Sequence, residues 1–180
     1  MAILYLLPNR DGVLSQWTQF GGMSAAHWDN VDDPVGSPDE DAEYIYTDVL
    51  NVIDDFHHAT SALLTGATIT NVRVTARARA TTMFFTTINI GIKIGITRYA
   101  GATDDNLGMG YWDYSQDWAF KPPGVTRWTK ADIDDLQSSI EMLADAITAR
   151  VTQVYLTITY TPAPPEITPV AGKGLVSWTP

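Results

Sequence analysis

Three segments of the chain alternate apolar and polar residues, which is the pattern of a β-strand with one buried face. The clearest segment runs from Thr87 to Thr97, and a second covers residues 72–79, where valine and alanine alternate with threonine and arginine. We expect these two strands to pair as neighbours. The third segment runs from Thr152 to Tyr160. The apolar positions expected to face the core are Ile88, Ile90, Ile92, Ile94, Ile96, Val72, Val74, Ala76, Ala78, Val154, Leu156, Ile158 and Tyr160.

Shorter strands are predicted where β-branched and aromatic residues lie between glycine, proline, asparagine or aspartate. They cover Ala2 to Leu7, Glu43 to Thr47, Leu50 to Phe56 and Tyr111 to Phe120. Seven or eight short strands are typical of two packed sheets. The sequence therefore predicts an all-β fold, an antiparallel, jelly-roll-like β-sandwich, over residues 1–161.

One short helix is predicted near residues 130–137. The Thr129 hydroxyl is placed to accept a hydrogen bond from the amide of Asp132, and an acid at that position favours the positive end of a helix. The residues on one stripe of this helix are Ile133, Leu136 and Ile140. Beyond Leu136 the pattern fits a strand equally well, so both alternatives stay open there.

Residues 162–180 differ in character from the rest of the chain and predict an extended, proline-rich C-terminal arm. Dense proline excludes a helix or a central strand and favours polyproline geometry. The apolar residues of the arm need a groove on their own domain or on a neighbour, and we favour the neighbour. The arm residues predicted to bind a partner are Pro164, Pro165, Ile167, Leu175, Val176 and Trp178.

Two further sets of residues are candidate partner contacts on the surface of the domain. Phe84 and Phe85 lie in the short connection of residues 80–86. Arg73, Arg77 and Arg79 lie on the polar face of the second long strand, whereas residues 29–55 contain ten of the 21 acids. A molecule with one acidic and one basic face is suited to pairing with copies of itself.

Composition limits the classes of function. The 180 residues fit one domain, and the absence of cysteine excludes disulfides, thiolate metal sites and cysteine nucleophiles. A net charge of -10 argues against nucleic acid as a partner. No membrane span is predicted, and the start of the chain does not fit a signal peptide. We expect no cofactor.

Metal binding is weighed at two places. The acidic residues Asp39, Glu40, Asp41 and Glu43 share one loop, which either holds calcium or forms a solvated turn, and their spacing matches no calcium-loop motif. Of the three histidines, His57 and His58 are adjacent on a predicted strand, so their side chains point to opposite faces. The sequence therefore predicts no metal site.

Catalysis has no sequence motif in its favour. The chain contains no glycine-flanked serine elbow, phosphate-binding loop or dinucleotide fingerprint. The aromatic stretch of residues 111–120 has the composition of a sugar-stacking platform, but its period of two favours a core-facing strand. Its core-facing residues would be Trp112, Tyr114, Trp118 and Phe120. The sequence predicts a protein that is not an enzyme.

Several segments together resemble small jelly-roll-type structural proteins of tailed bacteriophages. These segments are YLLPNRDG followed by QWT, HWDNVDDPVGSPDEDAEYI, NVRVTARARA, RWTKADIDDLQ and ARVTQVYLTITY, and together they cover most of residues 1–161. The resemblance implies a protein attached to a phage head or tail. The arm from Pro162 onward departs from this pattern.

The function expected from the sequence is that of a virion structural protein, assembled in the host cytoplasm. We expect a capsid decoration or cement protein that binds across capsid subunits, or a tail component. Its partners would be other virion proteins and copies of itself. The alternative is a carbohydrate-binding β-sandwich module, for which a glycan would be the ligand.

Overall fold

The alternating segments form two antiparallel sheets that pack face to face, in a computed structural model that describes residues 1–22, 25–61, 66–82, 86–144 and 147–164. Sheet A contains β1 (Ala2–Leu6), β3 (Thr18–Phe20), β4 (Tyr44–Thr47), β6 (Thr68–Ala80), β10 (Trp112–Trp118) and β12 (Ala149–Thr161). Sheet B contains β2 (Pro8–Ser15), β5 (Ile53–His58), β7 (Thr86–Ile94), β8 (Thr97–Tyr99), β9 (Asp104–Leu107) and β11 (Gln137–Ala144). The predicted jelly-roll-like β-sandwich is confirmed.

The order of strands places the longest ones at the centre of each sheet. Sheet A has the order β10-β6-β12-β4-β3, and β1 pairs with the end of β12 that β4 leaves free. Sheet B has the order β2-β5-β11-β7-β8, and β9 also pairs with β7. The core lies between the sheets, where Phe56, Ile90, Val74 and Leu156 are fully buried.

The expected pairing of the first two long strands is wrong. β6 pairs with β10 and β12 in sheet A, whereas β7 pairs with β11 in sheet B. Alternation in the sequence shows that each strand has one buried face, but it does not identify the neighbouring strand. Two such strands can lie side by side in one sheet or face each other from opposite sheets. The two strands therefore contribute to the same core from its two sides.

The predicted strand from Thr87 to Thr97 ends earlier than expected. Gly95 adopts a left-handed conformation with φ of 58°, and the chain turns back so that Thr97 pairs with Ile94. Ile96 lies in this turn and is 97% exposed, so it does not belong to the core. The turn produces β8, which was not predicted.

One helix, α1 (Lys130–Asp135), is present among the described residues besides a short 3₁₀ helix (His27–Asn30). The predicted cap is confirmed: the Asp132 amide donates to the Thr129 hydroxyl at 3.2 Å, and the Thr129 amide donates to the Asp132 carboxylate at 2.9 Å. Leu136 is extended, and β11 follows at once. The segment beyond Leu136 is therefore a strand, and neither helix is long enough to cross a membrane.

Twelve strands are present in the described part of the chain, more than the seven or eight predicted. The strands that were missed include β3, β8 and β9, which have only three or four residues each and are too short to show a period of two. β2 was missed because its sequence, PNRDGVLS, is mostly polar. It lies at the edge of sheet B, where a strand needs little apolar surface.

His58 predicts a pH dependence of stability. It is buried on the inner side of β5, where Nδ1 donates to the Leu6 carbonyl at 3.1 Å and Nε2 accepts from the Ser138 hydroxyl at 2.9 Å. Burial lowers the pKa of His58 to about 3. Because the unfolded chain takes up this proton near pH 6.5, stability is expected to fall by about 1.4 kcal/mol per pH unit as the pH drops from about 6 towards 4.

Urea unfolding at pH 7, 6 and 5 tests this dependence. We expect His58→Gln to remove most of the slope between pH 6 and 5. His27→Gln is the matched control, because the hydrogen bond that His27 donates to Asp54 raises the pKa of His27. The stability that His27 contributes is present below pH 6.5 and is lost as the pH rises through its folded pKa, so H27Q should leave the slope below pH 6 unchanged. Equal slopes in wild type and H58Q would contradict the assignment.

Candidate binding groove on the outer face of sheet A

The two outer faces of the sandwich are built differently. On the outer face of sheet B, polar side chains bond one another and are largely buried: Lys93 pairs with Asp55, and Arg98 bonds Ser139 and Glu141. The outer face of sheet A contains an open groove that follows β12, and the groove is the candidate site.

The groove exists because polar positions of three neighbouring strands alternate with core residues. Its floor and sides come from Ile3 and Tyr5 of β1, Asn71, Arg73 and Thr75 of β6, and Tyr155, Thr157 and Thr159 of β12. This section encloses about 320 Å³. A second section of about 260 Å³ continues past Tyr155 to Gln153, Arg77, Asp113 and Val35. Tyr155 lines both sections, so the two adjoin there, and we call them together the groove. The segment of β12 from Gln153 to Thr159 that runs along them is roughly 20 Å long at the rise of a β-strand.

Two tyrosines form the aromatic part of the groove. The rings of Tyr5 and Tyr155 lie edge to face, with centroids 6.0 Å apart and planes at 71°. Tyr5 is 50% exposed, and burial raises the pKa of Tyr155, so its phenol is uncharged at neutral pH. The groove therefore offers aromatic surface together with hydroxyl groups that donate and accept hydrogen bonds.

A fixed ion pair borders the opposite side of the groove. Arg73 donates to both carboxylate oxygens of Asp117, from Nε at 2.9 Å and from Nη2 at 2.7 Å, and Asn71 donates to the same carboxylate at 2.5 Å. The hydrogen bond from Arg73 lowers the pKa of Asp117. Because both side chains are nearly half exposed, the pair contributes at most about 1 kcal/mol to stability. Its consequence is geometric, since it fixes the orientation of the guanidinium.

A loop of residues 32–43, which we name the strap, crosses sheet A at the other end of the groove. Gln153 donates to the carbonyls of Asp33 and Pro34 at 2.8 and 2.9 Å, and the Thr152 hydroxyl bonds the Glu40 and Glu43 carbonyls. Three ion pairs also hold the strap: Arg77 to Glu40 at 2.5 Å, Arg79 to Asp41 at 2.6 Å, and Arg150 to Asp41 at 3.0 Å.

Several acids of the acidic loop bond side chains of sheet A, so this loop is not a simple solvated turn. Glu40 and Asp41 pair with arginines of sheet A, and burial raises the pKa of Asp39, which also lies beside Asp33. Among the residues that the structure describes, no three histidine, aspartate or glutamate side chains are grouped to hold a metal ion. His57 and His58 point to opposite faces of β5, as expected.

The structure describes only some of the predicted partner-binding residues. Arg73, Arg77 and Arg79 share the outer face of sheet A and pair with acids of their own chain, and their binding to a partner stays a prediction. Pro164 is exposed. The residues that lie outside the described part are Phe84, Phe85, Pro165, Ile167, Leu175, Val176 and Trp178.

The predicted core face of the aromatic stretch is only partly correct. Tyr114 and Trp118 pack against the core, whereas Trp112 is 65% exposed at the edge of sheet A and Phe120 is 44% exposed beyond the end of β10. The groove tyrosines were not predicted as a site. The available signal was Tyr155, an aromatic residue at an outward position of β12 between glutamine and threonine.

No family model matches the chain, and no curated protein does either. Among solved structures, the chain is similar to the CBM22-1 xylan-binding domain from Paenibacillus barcinonensis Xyn10C, with a TM-score of 0.46, 8% identity and coverage of 87% of this chain and 94% of that one. It is also similar to the N-terminal cellulose-binding domain from Cellulomonas fimi β-1,4-glucanase C, with a TM-score of 0.39, 14% identity and coverage of 78% and 87%.

Proposed function

We propose that this chain is a non-catalytic binding domain and that the groove on sheet A takes a glycan. The observation that carries the proposal is the position of Tyr155, which lies on the floor midway along the groove and lines both of its sections. A sugar ring has an apolar face of C–H groups and a rim of hydroxyls. A half-buried tyrosine with part of its ring facing the groove, beside fixed donors and acceptors, complements both.

The polar groups of the groove favour hydrogen bonding over charge attraction. Arg73 and Arg77 are both paired with carboxylates, and the threonine hydroxyls of β12 line the floor beside Tyr155. A paired arginine still has N–H groups that can donate to a hydroxyl oxygen, and a carboxylate can accept a hydrogen bond from a hydroxyl group. The net charge of -10 disfavours acidic ligands further. The proposed ligand is therefore an uncharged glycan.

Binding on a glycan array tests the proposal. We expect the wild type to bind uncharged glycans, and Tyr155→Ala to weaken the affinity by about tenfold or more, because the stacking surface is lost. Trp112→Ala is the matched control, since it removes a more exposed aromatic residue outside the groove and should leave binding unchanged. Binding that is lost in W112A and kept in Y155A would reject the groove as the site.

A second proposal is the virion structural role, and the resemblance of five sequence segments to phage structural proteins favours it. In the fold these segments become β6, β12, α1 and the β1–β2 and strap regions. The two proposals are compatible, because a virion protein can present a glycan-binding groove. Labelling intact phage particles for this chain tests the virion structural role. Label on heads or tails supports it, and unlabelled particles would reject it.

A further inference from the structure

We infer that the groove takes the end of a glycan chain rather than a segment from its middle. This inference rests on the proposed function, and it names the part of the ligand that is recognised. It follows from the shape of the groove, because the strap walls one end, whereas Ile3 at the other end is 58% exposed.

The wall is continuous across the strands that form the groove. On β12, Thr152 and Gln153 are buried under the strap, which forms a β-bridge from Asp32 to Gln153. On β6, Arg77 bonds Glu40 of the strap, and next to β10 the Tyr111 hydroxyl donates to Asp41 at 3.2 Å. A chain lying along β12 therefore meets the strap and cannot continue past it.

The wall is part of the groove surface as well as its limit. Val35, Gly36 and Pro38 of the strap line the same section as Arg77, Asp113 and Gln153. The terminal unit of a ligand would therefore lie between the strap and Asp113, with Tyr155 beneath the next part of the chain. An end group is contacted there on several sides, whereas an internal unit has a substituent that clashes with the strap.

The opposite end of the groove lies at Thr159, Asn71 and Ile3. Ile3 is 58% exposed there. The rest of a long glycan can leave the protein in this direction. The groove is therefore a one-ended slot that a polymer enters by its terminus.

The number of binding positions on a polysaccharide tests the inference. The probes are linear xylan, β-mannan and a soluble cellulose derivative, each intact and after partial hydrolysis by an endo-acting enzyme, at equal mass. End recognition predicts that the number of protein molecules bound per gram rises in proportion to the chain ends produced. If the number of protein molecules bound per gram stays constant or falls after hydrolysis, end recognition is overturned, whereas glycan binding itself is not.

Blocking each end of a short oligosaccharide gives a second readout on the unaltered protein. With hexasaccharides of the polysaccharide that binds, a bulky group at one terminus should reduce the affinity more than tenfold, and the same group at the other terminus should change it less than twofold. Equal tolerance at both termini would overturn the inference. If none of the three polysaccharides or their fragments binds, the proposed function fails for this ligand class as well.

Discussion

Lys93→Met is expected to destabilise the protein by about 3–5 kcal/mol, the usual cost of leaving a buried charge without its partner. The Lys93 ammonium donates to Asp55 Oδ2 at 2.9 Å, and the Asp55 side chain is fully buried. Its other oxygen, Oδ1, is buried without a hydrogen-bond partner. Gly12 closes the site, because a Cβ there would lie 2.4 Å from Asp55 Cβ. Water therefore has little access to replace the lost ammonium.

Urea unfolding at pH 7 measures this effect. The double variant Asp55→Leu, Lys93→Met is the control, since it removes both charges and should recover most of the stability lost in K93M. A loss below about 1 kcal/mol in K93M would show that Asp55 reaches water in solution, contrary to the burial described here. Double-variant stability equal to that of K93M would show that the loss comes from packing alone.

Asp54→Ala is the second large effect, with an expected cost of about 3–4 kcal/mol. The buried Asp54 carboxylate accepts hydrogen bonds from the amides of Gln16 and Trp17 at 2.5 and 2.8 Å and from His27 Nδ1 at 2.5 Å. It thereby joins β5 to the β2–β3 turn and to the 3₁₀ helix. Alanine removes the acceptor of the Trp17 amide and of His27 and leaves a small cavity. The Gln16 amide, in contrast, keeps a hydrogen bond to the Ile53 carbonyl at 3.3 Å.

His27→Gln is the matched control for Asp54→Ala in the same unfolding experiment. This variant replaces the imidazole donor with a side-chain amide that can still donate to Asp54. The free energy of unfolding should therefore fall by only about 1 kcal/mol. We expect D54A to be at least twice as destabilising as H27Q. Equal losses would show that the histidine contact, rather than the two backbone amides, accounts for the contribution of Asp54.

The long strands and the helix cap could be predicted from the sequence, because they depend on residues that are close together in the chain. The alternation in β6, β7 and β12 identifies their buried faces, and Thr129 with Asp132 identifies the start of α1. The partner of each strand depends on contacts between distant residues. That is why β6 and β7 were predicted as neighbours although they lie in opposite sheets.

The groove could not be predicted for the same reason. It requires β1, β12 and β6 to lie side by side, which brings Tyr5, Tyr155 and Arg73 together from distant parts of the chain. The acids of the strap and the arginines of β6 were both recognised as charged groups, but only the fold shows that they pair with each other. These complementary charges pair within one chain, and pairing between copies stays a prediction.

An NMR titration with an oligosaccharide that the protein binds tests the central claim most directly, because it locates the ligand without altering the protein. Backbone amide shifts are predicted to change along the groove, at Arg73, Tyr155 and Thr157 and at Val35 of the strap, and to stay constant at Phe20, which is exposed elsewhere on sheet A. Shifts that change at Phe20 while those of Tyr155 and Thr157 stay constant would contradict the assignment of the groove as the binding site.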